Sequence, residues 1–425
     1  MMQLFLENRN IRSLTLFATF GGVGRGLFTM FMMWAIHAMY QNTVYTGIAG
    51  FMFGAPLAAS FIVGPLVDRW NKARTLRTVE IVKFCIAALM LVSHLYFYIG
   101  AWFLFACILI FSTATMFGAP AMMAFIPRVV DKDDLVKANV ALNVGGILGG
   151  LILGAVLIGM SGGELDFTRF YSVITAVLLI AVLCSLFFNH EEALANDKES
   201  ALMSYWGELG EGFLFAKKGA MLFFAVAIMS MNFFSEIAYV NFPMLIDTHL
   251  GDASRFLLLS FLAMMGGLAG SFICGAAENK YRLGTIFAAS FVLSGVARVI
   301  FVFMLPDNFV RAVIPYIVYV GFATTVGMLF TIIIQKISPK NLVSRVTTIT
   351  TSLSFVATAV GALVGGFMGT VLDVDTMFFI QGGSYIAIGL LLYLSGSIRG
   401  LPKISELKGS EDDPDILQDE VASGL

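Results

Sequence analysis

Three ionisable residues sit where apolar sequence would carry them into hydrocarbon. Arg25 lies about midway along the first long apolar run, in Gly24-Arg25-Gly26; Glu236 lies slightly past the middle of the seventh, in Asn232-Phe233-Phe234-Ser235-Glu236; Arg298 lies late in the ninth. On insertion scales a charge near the bilayer centre costs at least about 2.5 kcal/mol, so each calls for a function or a partner. A carboxylate in such a place can take up and release a proton, because a nearby cation favours its charged form and desolvation its neutral form. Glu236 is the proton acceptor this chemistry suggests, and Arg25 is the cation that would tune it in a fold that brings their two spans together. A static ion pair that fixes helix packing is the alternative. Glu80 and Lys83, three apart near the cytoplasmic end of the third run, are spaced to pair on one helix face and read as structural.

Other chemistries find no support. The chain has no phosphate-cradling P-loop, no nucleophile elbow and no histidines at metal spacing, so neither an enzyme nor a self-contained ATP-driven pump is expected, and no cofactor. Cys85, Cys107, Cys184 and Cys274 fall inside apolar runs without metal-ligand spacing and read as small core residues.

With 58% hydrophobic and only 13% charged residues and a mean hydropathy of +0.87, the chain fits a polytopic membrane protein and no water-soluble class. A hydrocarbon core about 30 Å thick takes roughly 20 residues of helix. Twelve runs of that kind lie near 13–40, 44–66, 75–98, 101–124, 138–160, 167–188, 220–247, 255–277, 284–305, 311–335, 346–371 and 374–397. The polar stretch 1–12 leads into a first run too long for a signal-peptide core. With both termini in the cytoplasm, the loops on that side hold 20 of the 26 Lys and Arg, and the opposite loops only Arg169, Arg255 and Arg311. That bias fixes the expected orientation in the inner (plasma) membrane. The one long polar insert divides the runs six and six. The expected organisation is thus an amino-terminal bundle over 1–189, a cytoplasmic linker over 190–218, a carboxy-terminal bundle over 219–398 and an acidic cytoplasmic tail over 399–425.

Gly64-Pro65-Leu66-Val67-Asp68-Arg69-Trp70-Asn71-Lys72-Ala73-Arg74 joins the second run to the third. On chemistry alone it is a solvated turn. Its glycine four residues before the acid, followed by a basic run, resembles the loop between the second and third helices of major facilitator superfamily transporters. That resemblance implies an all-α membrane protein whose twelve helices form two pseudo-symmetric six-helix bundles rocking about a central site. It further implies that Asp68, with Gly64, Arg69 and Arg74 around it, docks near Ser344, Arg345 and Thr347 as a gate, where a helix amino terminus favours negative charge. The first and seventh spans, carrying Arg25 and Glu236, would border the central cavity.

Duplication supports the two-bundle reading. Leu135-Val136, Gly154-Ala155 and Gly159 recur 207 positions later as Leu342-Val343, Gly361-Ala362 and Gly366, and the loop from Gly275 to Arg282 looks like a degenerate second copy of the charged loop. Gly150, Gly154 and Gly159 resemble a glycine signature of antiporters, with Ala155 and Ile158 replacing a proline and a glycine; small residues at this spacing equally let helices pack closely. The segments 126–139, 211–234 and 338–346 resemble the drug-exporter branch that includes macrolide efflux proteins and enterobactin exporters. Related exporters carry an arginine in the fourth span where this chain has Phe111, so Arg25 substitutes for it or coupling differs. By the same resemblance Arg298, on a peripheral ninth span, would reach a headgroup or a neighbouring helix.

Forty Phe and 23 Met supply adaptable apolar surface, suited both to lipid contact and to varied lipophilic ligands. Span and depth select Phe28, Met32, Met116, Phe233, Tyr239 and Met328 as cavity residues. The expected protein is a monomeric, proton-coupled antiporter for multidrug-type efflux. Its partners would be a small amphipathic substrate, protons and the lipid bilayer, with no nucleic acid. One alternative is an exporter of an anionic metabolite, siderophore or lipid that uses Arg25 directly. Another is a transport-inactive receptor or scaffold signalling through the acidic tail.

Overall fold

A computed structural model describes residues 9–97, 100–129, 166–187, 213–215, 219–251, 253–277, 280–338 and 342–403, together with Gly210 and scattered helical positions between 142 and 154. Its elements are helices: α1 (Arg9–Tyr40), α2 (Thr43–Ala58), α3 (Ser60–Asp68), α4 (Lys72–Tyr96), α5 (Ala101–Val129), α6 (Phe167–Ser185), α7 (Gly219–Tyr239), α8 (Phe242–Leu250), α9 (Ala253–Ala277), α10 (Leu283–Met304), α11 (Phe309–Ile337), α12 (Val343–Met368), α13 (Val374–Leu394) and the short α14 (Gly396–Arg399). Among the described residues, 11 helical stretches are long and apolar enough to cross a membrane, in register with the runs expected from hydropathy. The run expected at 138–160 lies largely outside the described residues.

Lipid offers no partners for a free peptide group, so the chain is helical wherever it is apolar and changes direction where polar side chains can cap. Asn42 starts α2, its side-chain oxygen accepting from the Val44 amide at 2.9 Å; Asn71 does the same for α4 through Arg74 at 2.9 Å. Asp166 caps α6 through Thr168, and Asn308 caps α11 through Arg311. At the end of α8, Gly251 adopts φ 58°, the left-handed conformation that glycine enters without a Cβ penalty.

Two expected spans prove discontinuous. The run 44–66 is two helices that meet at Ala59, three residues after Pro56, whose ring and missing N–H disturb the preceding turn. The run 220–247 is α7 followed by α8, broken at Val240 and Asn241. Pro243 sits at the start of α8, and the buried Asn241 amide donates to the carbonyls of Ile237 (2.8 Å) and Gly365 (3.0 Å).

The helices fall into two compact units, one drawn from residues 1–202 with 252–261 and the other from 203–251 with 262–425. In the first, α6 packs against α1 and α4, and α5 against α2 and α4. Its core includes Phe31, stacked on Phe170 at 4.9 Å and met edge-on by Tyr171 at 5.0 Å. In the second, α10 lies against α11 and α13, and α7 against α12. Backbone contact makes these interfaces close: a Cβ at Gly295 of α10 would fall 2.5 Å from the Gly382 carbonyl of α13, and one at Gly361 of α12 2.5 Å from the Phe233 carbonyl of α7. Small residues at such crossings let dispersion and polar contacts hold helices together where lipid removes the hydrophobic drive.

Candidate functional site

The charged loop is a tight helix-to-helix link. Arg69 ends α3, the Trp70 amide donates to the Val67 carbonyl at 3.0 Å, and Asn71 opens α4. Gly64 and Asp68 belong to α3, but their side-chain surroundings lie outside the described residues. Arg69 and Arg74 both face a cavity of about 790 Å³ beside α4 and α5, within the first unit. Arg345, named with them as part of a gate, lies half-buried in the first turn of α12 in the second unit.

Glu236 sits half-buried on α7, three residues before Tyr239, which is near enough to feel its charge. Among the described residues of its unit, no hydrogen bond or ion pair reaches the carboxylate. One turn earlier, Asn232 lines a cavity of about 250 Å³ bounded by α7, α11 and α12, together with Met231, Phe330, Thr351, Ser354 and Thr358. This lining mixes a side-chain amide, hydroxyls and apolar groups, which suits an amphipathic ligand. Phe233 and Met328 are each adjacent in sequence to one of its lining residues, Asn232 and Gly327, without lining it themselves. Phe233 and Tyr239 are half-buried and Met328 is exposed.

In the first unit Phe28 is buried, stacked on Phe111 at 3.8 Å and edge-on to Phe53 at 6.2 Å. Met32 is fully buried, and Met116 packs half-buried against the cluster formed by Leu14, Phe17, Val67, Leu76 and Phe125. Gly150 and Gly154 are helical and buried, and a Cβ at Gly154 would run into the Phe261 ring; Gly159 lies outside the described residues. Arg25 is exposed on α1, and among the described residues of its unit no carboxylate lies within ion-pair distance of it. Since Arg25 belongs to the first unit and Glu236 to the second, each is described within its own unit.

The Glu80–Lys83 pair expected from spacing forms, at 2.5 Å, with both side chains about 5% exposed. It lies close to the midpoint of the 25-residue α4 rather than near the helix end. Gly21 of α1 makes room for it: a Cβ there would come 2.8 Å from Glu80 Oε1. Arg25 is near enough to act electrostatically on Lys83, and Lys83 Nζ lies 5.9 Å from the centre of the Phe111 ring. Phe111, where the family resemblance leads one to expect an arginine, thus has an ammonium from α4 beside it.

Of the two courses expected of Arg298, a headgroup or a neighbouring helix, the structure shows the second. Arg298 is 4% exposed, not reaching toward a headgroup. Its Nε donates to Gln381 Oε1 at 2.7 Å, and Gln381 Nε2 donates to the Tyr319 hydroxyl at 2.8 Å. The guanidinium carbon lies 4.4 Å from the Tyr319 ring centre and 4.6 Å from that of Phe378, with Phe242, Phe301 and Tyr316 within 6.0 Å. A planar, weakly hydrated cation is held in such a place by ring faces and one strong acceptor. The helix that carries Arg298 packs against α11 and α13 on one side and keeps an outer face on which Val296, Ile300 and Phe303 are exposed. The signal was present in sequence: Phe301 one turn from Arg298, Tyr316 with Tyr319, and Phe378 with Gln381 are aromatic and polar residues at helical spacing.

Relatives extend these observations. An uncharacterized MFS-type transporter of Bacillus subtilis, YjbB, is 30% identical over 219 residues, 48% of this chain and 51% of that protein, so the match spans about half of YjbB. The enterobactin exporter EntS of Salmonella typhi is 22% identical over 384 residues, 88% of each chain. Among solved structures, the nucleoside transporter NupG superposes with a TM-score of 0.71 at 17% identity, over 90% of this chain and 98% of that one. A mutant of the peptide transporter POT in complex with alafosfalin superposes with a TM-score of 0.71 at 12% identity, over 93% and 96%. At such identities the superpositions speak for the fold, that of two pseudo-symmetric six-helix bundles. The pattern of the Major Facilitator Superfamily matches residues 14–354, so this chain, a multi-pass membrane protein, belongs to that family of membrane transporters.

Proposed function

We propose that the chain is a proton-coupled exporter of amphipathic small molecules, an antiporter working by alternating access in the inner membrane with both termini cytoplasmic. The observation that carries this reading is the Glu236 carboxylate: half-buried, without a partner in its own unit, and one turn from a cavity of mixed polar and apolar lining. A carboxylate so placed changes charge as its access to water changes, which is the elementary step of proton coupling. Arg25 is the cation that tunes it. Phe233, Tyr239 and Met328 supply apolar surface along the substrate path, Phe28, Met32 and Met116 back it from the core of the first unit, and the glycines Gly150, Gly154 and Gly159 let the fifth span pack closely as the halves rock. Asp68, with Gly64, Arg69, Arg74 and Arg345, forms the cytoplasmic latch. The chain acts as a monomer on a small-molecule ligand and protons. Its bundles span 1–189 and 219–398, joined by a linker over 190–218 and followed by a tail over 399–425.

The test is pH-gradient-driven flux in reconstituted vesicles. Glu236→Gln abolishes the response to the gradient while substrate binding persists; unchanged flux in that variant removes Glu236 from the mechanism.

A second reading is supported by the exposed Arg25, which has no carboxylate within ion-pair distance in its unit, and by the likeness to EntS over most of the chain. Here the substrate is anionic and Arg25 binds it directly. Ligand charge separates the two: Arg25→Gln weakens binding of anionic ligands selectively in this reading, and leaves cationic ligands unaffected or better bound.

A further inference from the structure

The cavity beside the charged loop is a groove with a polar end and an apolar floor. Arg69, Trp70, Asn71 and Arg74 form the polar end, Thr75 and Thr78 follow along α4, and Val79 and Val82 continue it opposite Leu109 and Ile110 of α5. At 1.5 Å per residue, the stretch from Arg74 to Val82 is about 12 Å long. Trp70 is 44% exposed and stacks on Phe117 at 5.6 Å, closing the groove at the loop, while Leu109 and Ile110 are 39% and 48% exposed, so the groove opens sideways, where a spanning helix meets lipid.

Three features bear on its occupant. Arg69 Nη2 is buried without a hydrogen-bond partner, a donor left unsatisfied at a site lined by a second arginine. Among the described lining residues there is no carboxylate to neutralise either guanidinium. A tryptophan at the polar end and a continuous apolar floor match the headgroup-to-chain gradient of a bilayer leaflet. A small free anion would satisfy the arginines but leave the floor wet, and a neutral lipophile would satisfy the floor but leave the arginines bare.

We propose that this groove seats one anionic phospholipid, its phosphate on Arg69 and Arg74 and an acyl chain along Val79, Val82, Leu109 and Ile110. The site lies within the first unit and does not depend on what the protein exports. Because Arg69 and Arg74 also belong to the proposed latch, lipid composition would bias the loop directly. In the proposed orientation the lipid comes from the cytoplasmic leaflet, where basic pockets between helices meet anionic headgroups.

The test is retention of lipid by the purified protein, read by native mass spectrometry after exchange into mixed micelles with equal amounts of phosphatidylglycerol and phosphatidylcholine. The wild type retains phosphatidylglycerol in preference, by about fivefold per arginine engaged. Arg69→Gln with Arg74→Gln removes the preference while some lipid of either kind is still held. Val82→Trp, which fills the floor and leaves the arginines in place, lowers retention of both. Equal retention of the two lipids by the wild type overturns the proposal whether or not the variants fold. So does displacement of phosphatidylglycerol by millimolar inorganic phosphate, which identifies a plain anion site.

Discussion

Substituting Gln381 by leucine tests the Arg298 cage. The glutamine does two things at once: its oxygen accepts from Arg298 Nε at 2.7 Å and its amide donates to the Tyr319 hydroxyl at 2.8 Å. Gln381→Leu leaves a 4% exposed guanidinium without that acceptor, and Arg298 Nη1 is already without a partner. Loss of a hydrogen bond to a charged group, with the charge left buried, costs about 2–3 kcal/mol. Removing the charge as well relieves most of this penalty, because a buried ion without its partner is worse than an apolar replacement. The double variant Arg298→Met, Gln381→Leu should therefore be destabilised by only about 1 kcal/mol, less than Gln381→Leu alone. Reversible unfolding of the purified protein in mixed micelles, titrated with denaturing detergent, gives the four corners of the cycle. Additive costs, with the double variant worse than either single, would refute the claim that the arginine is held by this glutamine.

The Glu80–Lys83 pair makes a parallel case: Lys83→Met leaves a buried carboxylate beside Gly21 and should cost about 3–5 kcal/mol, partly recovered with Glu80→Gln, as the same unfolding cycle measures. Gly295→Ala places a methyl group against the Gly382 carbonyl, so α10 and α13 must separate; a loss of about 1–3 kcal/mol is expected, visible as lower thermal stability in detergent, whereas Gly327→Ala, with open space around its Cβ, should change little. Asp68→Asn should slow transport without lowering the amount of protein in the membrane, as flux and quantitative blotting together determine; normal flux reduces the loop to a topological feature.

The spans were legible because hydropathy over 20 residues is a sum that no single position can upset. Their interruptions were less so. Pro56 bends the second run and Pro243 restarts the seventh, yet proline is tolerated inside membrane helices often enough that neither residue alone announces a break. Asn241 settles the second case through a bond to Gly365, 124 positions away, which no local pattern contains. Glu80 and Lys83 were readable as a pair because three-residue spacing is a local rule, but their depth was misjudged: α4 begins at Lys72, which Asn71 makes possible by capping from inside the charged loop. For Arg298 two courses stay open in the sequence, a headgroup or a neighbouring helix. Hydropathy places it in a span without saying which face meets protein, and the residues that hold it come from α10, α8, α11 and α13. For Glu236, hydropathy indicates the depth, and the fold adds its lack of a partner within its unit.

The central claim is that ligand movement and proton movement are one event at Glu236. Purified protein in vesicles containing a pH-sensitive dye, with no imposed gradient, should move protons when an amphipathic substrate is added on one side, and Glu236→Gln should take up the same substrate without the proton signal. Substrate transport with no proton movement in the wild type, or an undiminished proton signal in the variant, would contradict it.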